Sequence, residues 1–456
     1  RSEVNDIVNS LLDGVGGFVL TKETAVGKFP IETISMLKGI ITRISSVTNS
    51  QMNNLLEISE EKISGNLIEP HGGILVNRYQ VMEFNDKELK RFKKLHIDEE
   101  ILMDAELIAF GVYSPLEGFM NEKELNSVLD RMRLPSGLPW TMPIILTANK
   151  KELKGIKNKE VIALVRKQDR EIYATLTIFE IKSLDKTLIC KKWFGTDDKN
   201  HPGVARIFAG GDYMVAGQIN LLKIRPSPFK EHELKPVQTR KIFSEKGWTK
   251  VVGFHTRNPI HRSHEFIQLQ ALKNIPADGL FIHPVVGKKK KGDFEAAVII
   301  KVYELMMKKF YPRNKVVFAV YPTYSRYAGP REAVFTAICR KNYGCSHFII
   351  GRDHTGVGNY YPPNASQEIF NKFPDLGIEP VFFNKVYYSR KLNKHISEGI
   401  VEERERDKAS ISGTTIRELL KKGKRPPGWL MRPQIAEEIL KLNKEFKKEG
   451  KSIFVK

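Results

Sequence analysis

The segment HTRNPIHRSHE, residues 255–265, holds three histidines and two arginines in eleven positions, directly after the apolar run WTKVVGF. Such side chains are cations or hydrogen-bond donors, so the chemistry they suit is the handling of an anion. His261 and His264 stand three residues apart behind Pro259 and can face one ligand together. A surface pair without function is one alternative. A two-histidine metal site is another, but it needs a third ligand that the sequence does not supply, and no HExxH pattern is present.

Two further stretches carry similar chemistry. GRDHTGVG, residues 351–358, sets Arg352 and His354 among glycines that let backbone N–H groups approach a ligand. SISGTTIREL, residues 410–419, is a hydroxyl-rich helix start ahead of Arg417 and by itself is no more than a cap. The lysine run at Lys288–Lys291 would guide a polyphosphate or form a solvated loop. Arg326 and Arg331 would be phosphate ligands or partners in helix-end salt bridges.

The elements that must position these residues follow from periodicity. Beyond about residue 236, strand-like TKVVGF, GLFIHPVVG, KVVFAVYP, HFIIG and IEPVFF alternate with helix-like HEFIQLQALK, FEAAVIIKVYELMMKKF, PREAVFTAICRKN and SQEIFNKF. This alternation predicts an α/β domain with a doubly wound parallel sheet at 233–385, whose ligands lie beyond the carboxyl ends of the strands. The histidine-rich segment follows the first strand and runs into a helix N-terminus, where free N–H groups favour phosphate. GRDHTGVG follows the fourth strand and is delivered to the same rim. Upstream, at 68–232, LPWTMPIILT, EVIALVRK, EIYATLTIFEIKSL and YMVAGQINLLKI predict a mainly β domain. A small C-terminal α/β region, 386–456, contains the ISGTTIR helix, and the polar stretch 49–67 reads as a linker.

Composition narrows the class. The 456 residues carry a net charge of +21, which attracts nucleic acid, acidic membranes or small anions, or merely solvates lysine-rich helix faces. No apolar run is long enough to cross a bilayer. Three scattered cysteines suit neither a disulfide framework nor a thiolate zinc site, and a cytoplasmic location is expected.

The early His-x-x-His and late Ile-Ser-x-Thr-x-x-Arg resemble the nucleotidylyltransferase superfamily. More specifically, PHGG (70–73), YSPLEGFM (113–120), TRNPIHRSH (256–264), HPVVG (283–287), RYAGPREA (326–333), GRDHTG (351–356) and ISGTTIR (411–417) resemble the ATP sulfurylase family, in order, over most of the chain. The resemblance implies a PUA-like β domain before a nucleotidylyltransferase domain. Separately, residues 1–48 resemble the last part of the pyruvate kinase barrel, through Arg1, Glu3, Val4, Asp6, Asp13, Gly14 and Thr21–Ala25. The chain begins inside that signature, so a fragment or a fusion remnant is expected there, without pyruvate kinase chemistry.

The sulfurylase resemblance implies transfer of AMP from ATP to sulfate with release of pyrophosphate. Arg257, His255 and the backbone at Thr355 would take sulfate. Thr256, Asn258, His261, His264, Gly351, Arg352, Asp353 and His354 would hold ATP, with Arg257, Asn258, His261, His264 and Arg352 as the catalytic set. Mg2+ would arrive with ATP, no protein metal site is expected, and the partners would be substrates and further copies of the chain, a homodimer first, without membrane or nucleic acid. Two departures stand out. His255 replaces the family's usual Gln and would donate to sulfate when neutral or bind it more tightly when protonated. Ser389 and Leu392 stand where many members begin a zinc site, so no structural zinc is expected. Another nucleotidylyltransferase acceptor, or a non-catalytic nucleotide- or RNA-binding scaffold, is the alternative. No GxxxxGK[ST] sequence follows that would add a P-loop kinase.

Overall fold

The computed structural model of the chain describes residues 67–80, 84, 86–351, 357–362 and 364–455. The expected barrel remnant at 1–48, the linker but for Leu67, and Arg352, Asp353, His354 and Thr355 lie outside the described residues.

The first part runs α1 (Asp86–Arg91), β1 (Lys94–Ile97), α2 (Glu99–Ala109), β2 (Gly118–Phe119), α3 (Glu122–Arg131), β3 (Thr147–Ala148), β4 (Val161–Arg166), β5 (Ile172–Ser183), α4 (Lys186–Phe194), α5 (Pro202–Ala209) and β6 (Tyr213–Leu221). Its sheet has the order β1-β4-β5-β6-β2, with β3 also on β6, and only the β1–β4 pair is parallel. The expected strand LPWTMPIILT forms a ladder only at its end, in β3. Pro139 and Pro143 remove donors a ladder needs, so Trp140 to Leu146 are buried as irregular chain.

The second part runs α6 (Pro236–Glu245), β7 (Val251–Thr256), α7 (Arg262–Asn274), β8 (Gly279–Pro284), α8 (Ala296–Lys309), β9 (Val316–Phe318), α9 (Pro330–Asn342), β10 (His347–Ile350), the short α10 (Ala365–Glu368) and β11 (Glu379–Phe382). Every pairing is parallel in the order β11-β10-β7-β8-β9. The chain therefore reverses its winding between β7 and β10, the place where such sheets bind ligands. The predicted doubly wound sheet is present with all five strands.

Both faces are covered. Val251, Phe281, Val317, Phe348 and Ile350 pack with Phe243 of α6, with α9 and with Tyr113, Trp140 and Leu164 of the first part, in one continuous core. Their strand neighbours Val252, Phe254, Leu280, Ile282, Val316 and Ile349 face the other way, onto α7 and α8. That alternation is the period-two geometry of strands buried on both sides.

The last part contributes a small antiparallel sheet, β13-β12-β14, from β12 (Val386–Ser389), β13 (Lys394–Ser397) and β14 (Lys408–Ser410), then α11 (Gly413–Lys421) and α12 (Pro433–Lys448). Ser412 caps α11, its side chain accepting from the N–H of Thr415, and Ile416 and Leu420 anchor the helix one turn apart in the second core. The Ser389 hydroxyl donates to Glu403 and accepts from the N–H of Leu392, closing a turn by hydrogen bonds. The three cysteines are free and buried elsewhere. Finally, residues 453–455 return to the parallel-sheet domain: the N–H of Gly292 donates to the Val455 carbonyl and the N–H of Val455 to Asp293. The loop carrying the lysine run is thereby fixed at one end.

Candidate active site at the carboxyl end of β7

β7 ends at His255 and Thr256, and the chain turns sharply. The Thr256 hydroxyl accepts from the N–H of Asn258 at 3.2 Å, Ile260 plugs the second core, and His261 is the extended N-cap residue of α7. Arg257 is thus held on a tight turn at the rim. Its Nη1 is buried and has no hydrogen-bond partner among the described residues, and its guanidinium lies 5.9 Å from the Tyr327 ring centre.

His261 and His264 occupy the first turn of α7 with their rings stacked, centroids 3.7 Å apart. The Ser263 hydroxyl shares a 2.8 Å hydrogen bond with His261 Nδ1, and Phe254 packs edge-on against His264. Burial pushes the His261 pKa down to about 4, and burial together with the neighbouring His261 pushes His264 well down. Both imidazoles are therefore neutral at neutral pH before any ligand arrives, poised to take up a proton when an anion supplies the missing countercharge.

Two elements distant in sequence complete the rim. Arg417, on α11, reaches Asn258 Oδ1 at 3.5 Å and Asp293 at 3.8 Å. Lys289 turns inward and donates to the Arg257 carbonyl at 3.5 Å, while its neighbour Lys288 instead pairs with Glu100. Burial, and to a smaller extent Arg257, pushes the Lys289 ammonium down to about 7 against the pull of Asp293 and Glu295. Lys290 is lowered by burial and then by Arg257. Asp293 is buried with neither carboxylate oxygen hydrogen-bonded to the described residues, and Arg417 Nε is likewise unpartnered. A cluster of cations with unspent donors is an anion site in wait.

Of the residues singled out in the sequence, the fold brings His255, Thr256, Arg257, Asn258, His261, His264 and Arg417 to one rim. Gly351 directly follows β10, the strand beside β7, and is exposed there. Arg262 is turned away into an ion pair with Glu265 at 2.8 Å. Arg326 and Arg331 take the structural alternative. Arg326 is buried against Asp104, and Arg331 donates to the carbonyls of Val128 and Leu129. Sequence reasoning undervalued Lys289 and missed Asp293; the Gly292-Asp293 turn directly after the lysines was the available signal that this loop is ordered.

A cleft of about 1170 Å³ lies between the first part and the parallel-sheet domain and meets this rim only at Lys288 and Lys289. Its lining is mixed in charge, with Asp98, Glu99, Glu100, Asp104 and Glu152 facing Lys167, Arg206, Lys288, Lys289 and Arg326. The one group of three carboxylate or imidazole ligands close enough for a metal ion among the described residues is Glu231, His232 and Glu304, none of which belongs to the rim. No helix among the described residues is long and apolar enough to cross a membrane.

Known proteins resemble the chain over both domains. Residues 230–442 match the ATP-sulfurylase family model and residues 68–224 a PUA-like domain. Sulfate adenylyltransferase of Pyrococcus abyssi is 42% identical over 381 residues, covering 83% of this chain and 99% of the relative. That of Ignicoccus hospitalis is 44% identical over the same length, again 83% and 99%. Among solved structures, a hexameric APS kinase from Thiobacillus denitrificans superposes with a TM-score of 0.66 at 22% identity, over 82% of this chain and 68% of that one, a likeness of fold. The chain, with its PUA-like and parallel-sheet domains in the family's order, belongs to the ATP-sulfurylase family.

Proposed function

We propose that the chain joins sulfate to the AMP of ATP by direct attack of a sulfate oxygen on the α-phosphorus. The S–O–P bond forms as the bond from the α-phosphorus to the β-phosphoryl oxygen breaks, pyrophosphate leaves with the electron pair, and no covalent enzyme intermediate is needed. Both reactants are anions, so the barrier is dominated by repulsion, and fixed cations and N–H dipoles lower it by positioning and electrostatics. The observation that supports this reading is the convergence of Arg257, Lys289 and Arg417, all with unspent or loosely spent donors, on the turn after β7.

In this reading Arg257 and His255 grip sulfate with the Thr355 backbone. Asn258, His261, His264, Thr256, Gly351, Arg352, Asp353 and His354 hold ATP, and the two stacked imidazoles gain charge as the polyphosphate docks. Magnesium fits as a cation carried by the nucleotide: among the described residues the rim is rich in cations and holds no cage of carboxylates, so phosphate oxygens and water would supply its ligands. Bound there it would neutralise charge on the leaving pyrophosphate. A homodimer and a cytoplasmic location complete the proposal on family resemblance.

The test is sulfate-dependent pyrophosphate release by the purified chain. Arg257→Ala is expected to abolish turnover while ATP binding remains detectable by calorimetry. Release without sulfate, or unchanged turnover in the variant, would sink the assignment.

A further inference from the structure

The position that departs from the family, His255, has an unusual neighbour. Arg340, in the last turn of α9, is fully buried, yet none of the hydrogen bonds or ion pairs described for it reaches a carboxylate. Its Nη2 donates to His255 Nδ1 at 2.9 Å and to the His283 carbonyl at 3.1 Å, while Nε and Nη1 have no hydrogen-bond partner among the described residues. Its guanidinium lies over the Tyr321 ring, 4.2 Å from the centre. Thiols and phenols that feel its charge are kept protonated by burial: Cys339 is pushed up to about 11, Cys345 to about 12, and Tyr321 and Tyr343 upward.

β7 is built to admit this side chain. Residues 253 and 255 share a face of the strand. A Cβ on Gly253 would stand 3.1 Å from Arg340 Cγ and 3.2 Å from Cys345 Sγ, so glycine leaves the channel through which the arginine passes to reach His255. His283 lies beside His255 on β8, fully buried, with its pKa held well down by burial and then by Arg340.

The geometry points to Arg340 as a positioning residue for the oxyanion, fixing His255 as a neutral imidazole whose proton sits on Nε2. The argument is one of valence. Guanidinium nitrogens only donate, so the imidazole nitrogen facing one must accept and carry no proton. That leaves Nε2–H as the ring's single donor, at the strand end where sulfate is proposed to dock. Of the two expectations for His255, the neutral donor is selected over the imidazolium. The buried charge behind it polarises the ring and strengthens its donation to a bound oxyanion.

The inference rests on the proposed sulfate site, and its test separates the two. In the wild-type protein, 15N NMR of labelled histidine should show His255 unprotonated at Nδ1 and protonated at Nε2; an Nδ1–H tautomer or an imidazolium overturns the proposal whether or not the protein turns over. Arg340→Met should raise the KM for sulfate by about tenfold and leave the KM for ATP within about twofold, the scale of one charge-assisted hydrogen bond. In a His255→Ala background the same change should add less than about twofold, since Arg340 would act through the missing ring. Equal losses for both substrates, or a full sulfate penalty without His255, would show a merely structural role. Should Arg340→Met fail to fold, Arg340→Lys keeps a cation that only donates and should keep His255 unprotonated at Nδ1; an Nδ1–H ring in that variant overturns the proposal.

Discussion

Two buried arginines on the same side of the parallel sheet are treated in opposite ways. Arg326, where the first part of the chain meets the parallel-sheet domain, donates to Asp104 and to the Tyr113 hydroxyl, while its N–H donates to Glu332. Burial would lower its pKa, but Asp104 and the surrounding phenols hold it well above the usual value. Asp104 in turn accepts from Tyr113 and Tyr324, so charge and countercharge are matched group by group. Arg340 and, at the rim, Arg257 have donors to spare and no carboxylate partner among their described contacts. A saturated buried cation joins domains; an unsaturated one waits for a ligand.

The largest test of that contrast removes one partner from each region. Asp104→Asn should cost about 3–5 kcal/mol in chemical denaturation by stranding the Arg326 charge, with KM values little changed. Arg257→Ala should leave the unfolding midpoint where it was and lower kcat/KM for sulfate roughly 10³-fold, as loss of a donor to developing charge does. If both variants lose mainly stability, the contrast is broken.

Lys289→Met sharpens it. With a folded-state pKa of about 7 against 10.5 unfolded, the unfolded chain binds more protons between those values, so stability rises with pH across that window. The variant should melt higher than wild type at pH 7, with the gain shrinking toward pH 10, while the KM for ATP rises about tenfold for a lost charge-assisted contact. The stacked histidines give a smaller signal. His261 titrates near 4 when folded and 6.5 unfolded, so the stability present above pH 6.5 drains away as pH falls toward 4; His261→Gln should flatten that slope, and pyrophosphate should do likewise in wild type. Smallest of all, Ser389→Ala should cost about 1 kcal/mol, one hydrogen-bonded turn, and leave catalysis alone.

Most of the sheet was legible because strands buried on both faces leave unbroken apolar runs, and the rim followed from its position at their ends. LPWTMPIILT misled because apolarity marks burial, and two prolines rather than hydrophobicity decided against a ladder. Arg257, His261 and His264 were legible as cations and hydrogen-bond donors clustered in sequence. Lys289 was less so, because a lysine run has the same spelling whether solvated or folded inward, and the contacts that hold its loop, such as the return of residues 453–455, come from more than a hundred positions away. Arg340 was hidden in an ordinary helix, although Gly253 inside a strand was a mark of close approach. Arg352, Asp353, His354 and Thr355 fall outside the described residues and stand on resemblance.

The pairing of Val455 with Gly292 and Asp293 has a practical side. A substitution that breaks this pairing would loosen the loop that carries Lys289 without touching any residue of the rim. Two variants alike in every rim residue would then differ in how firmly that lysine is held.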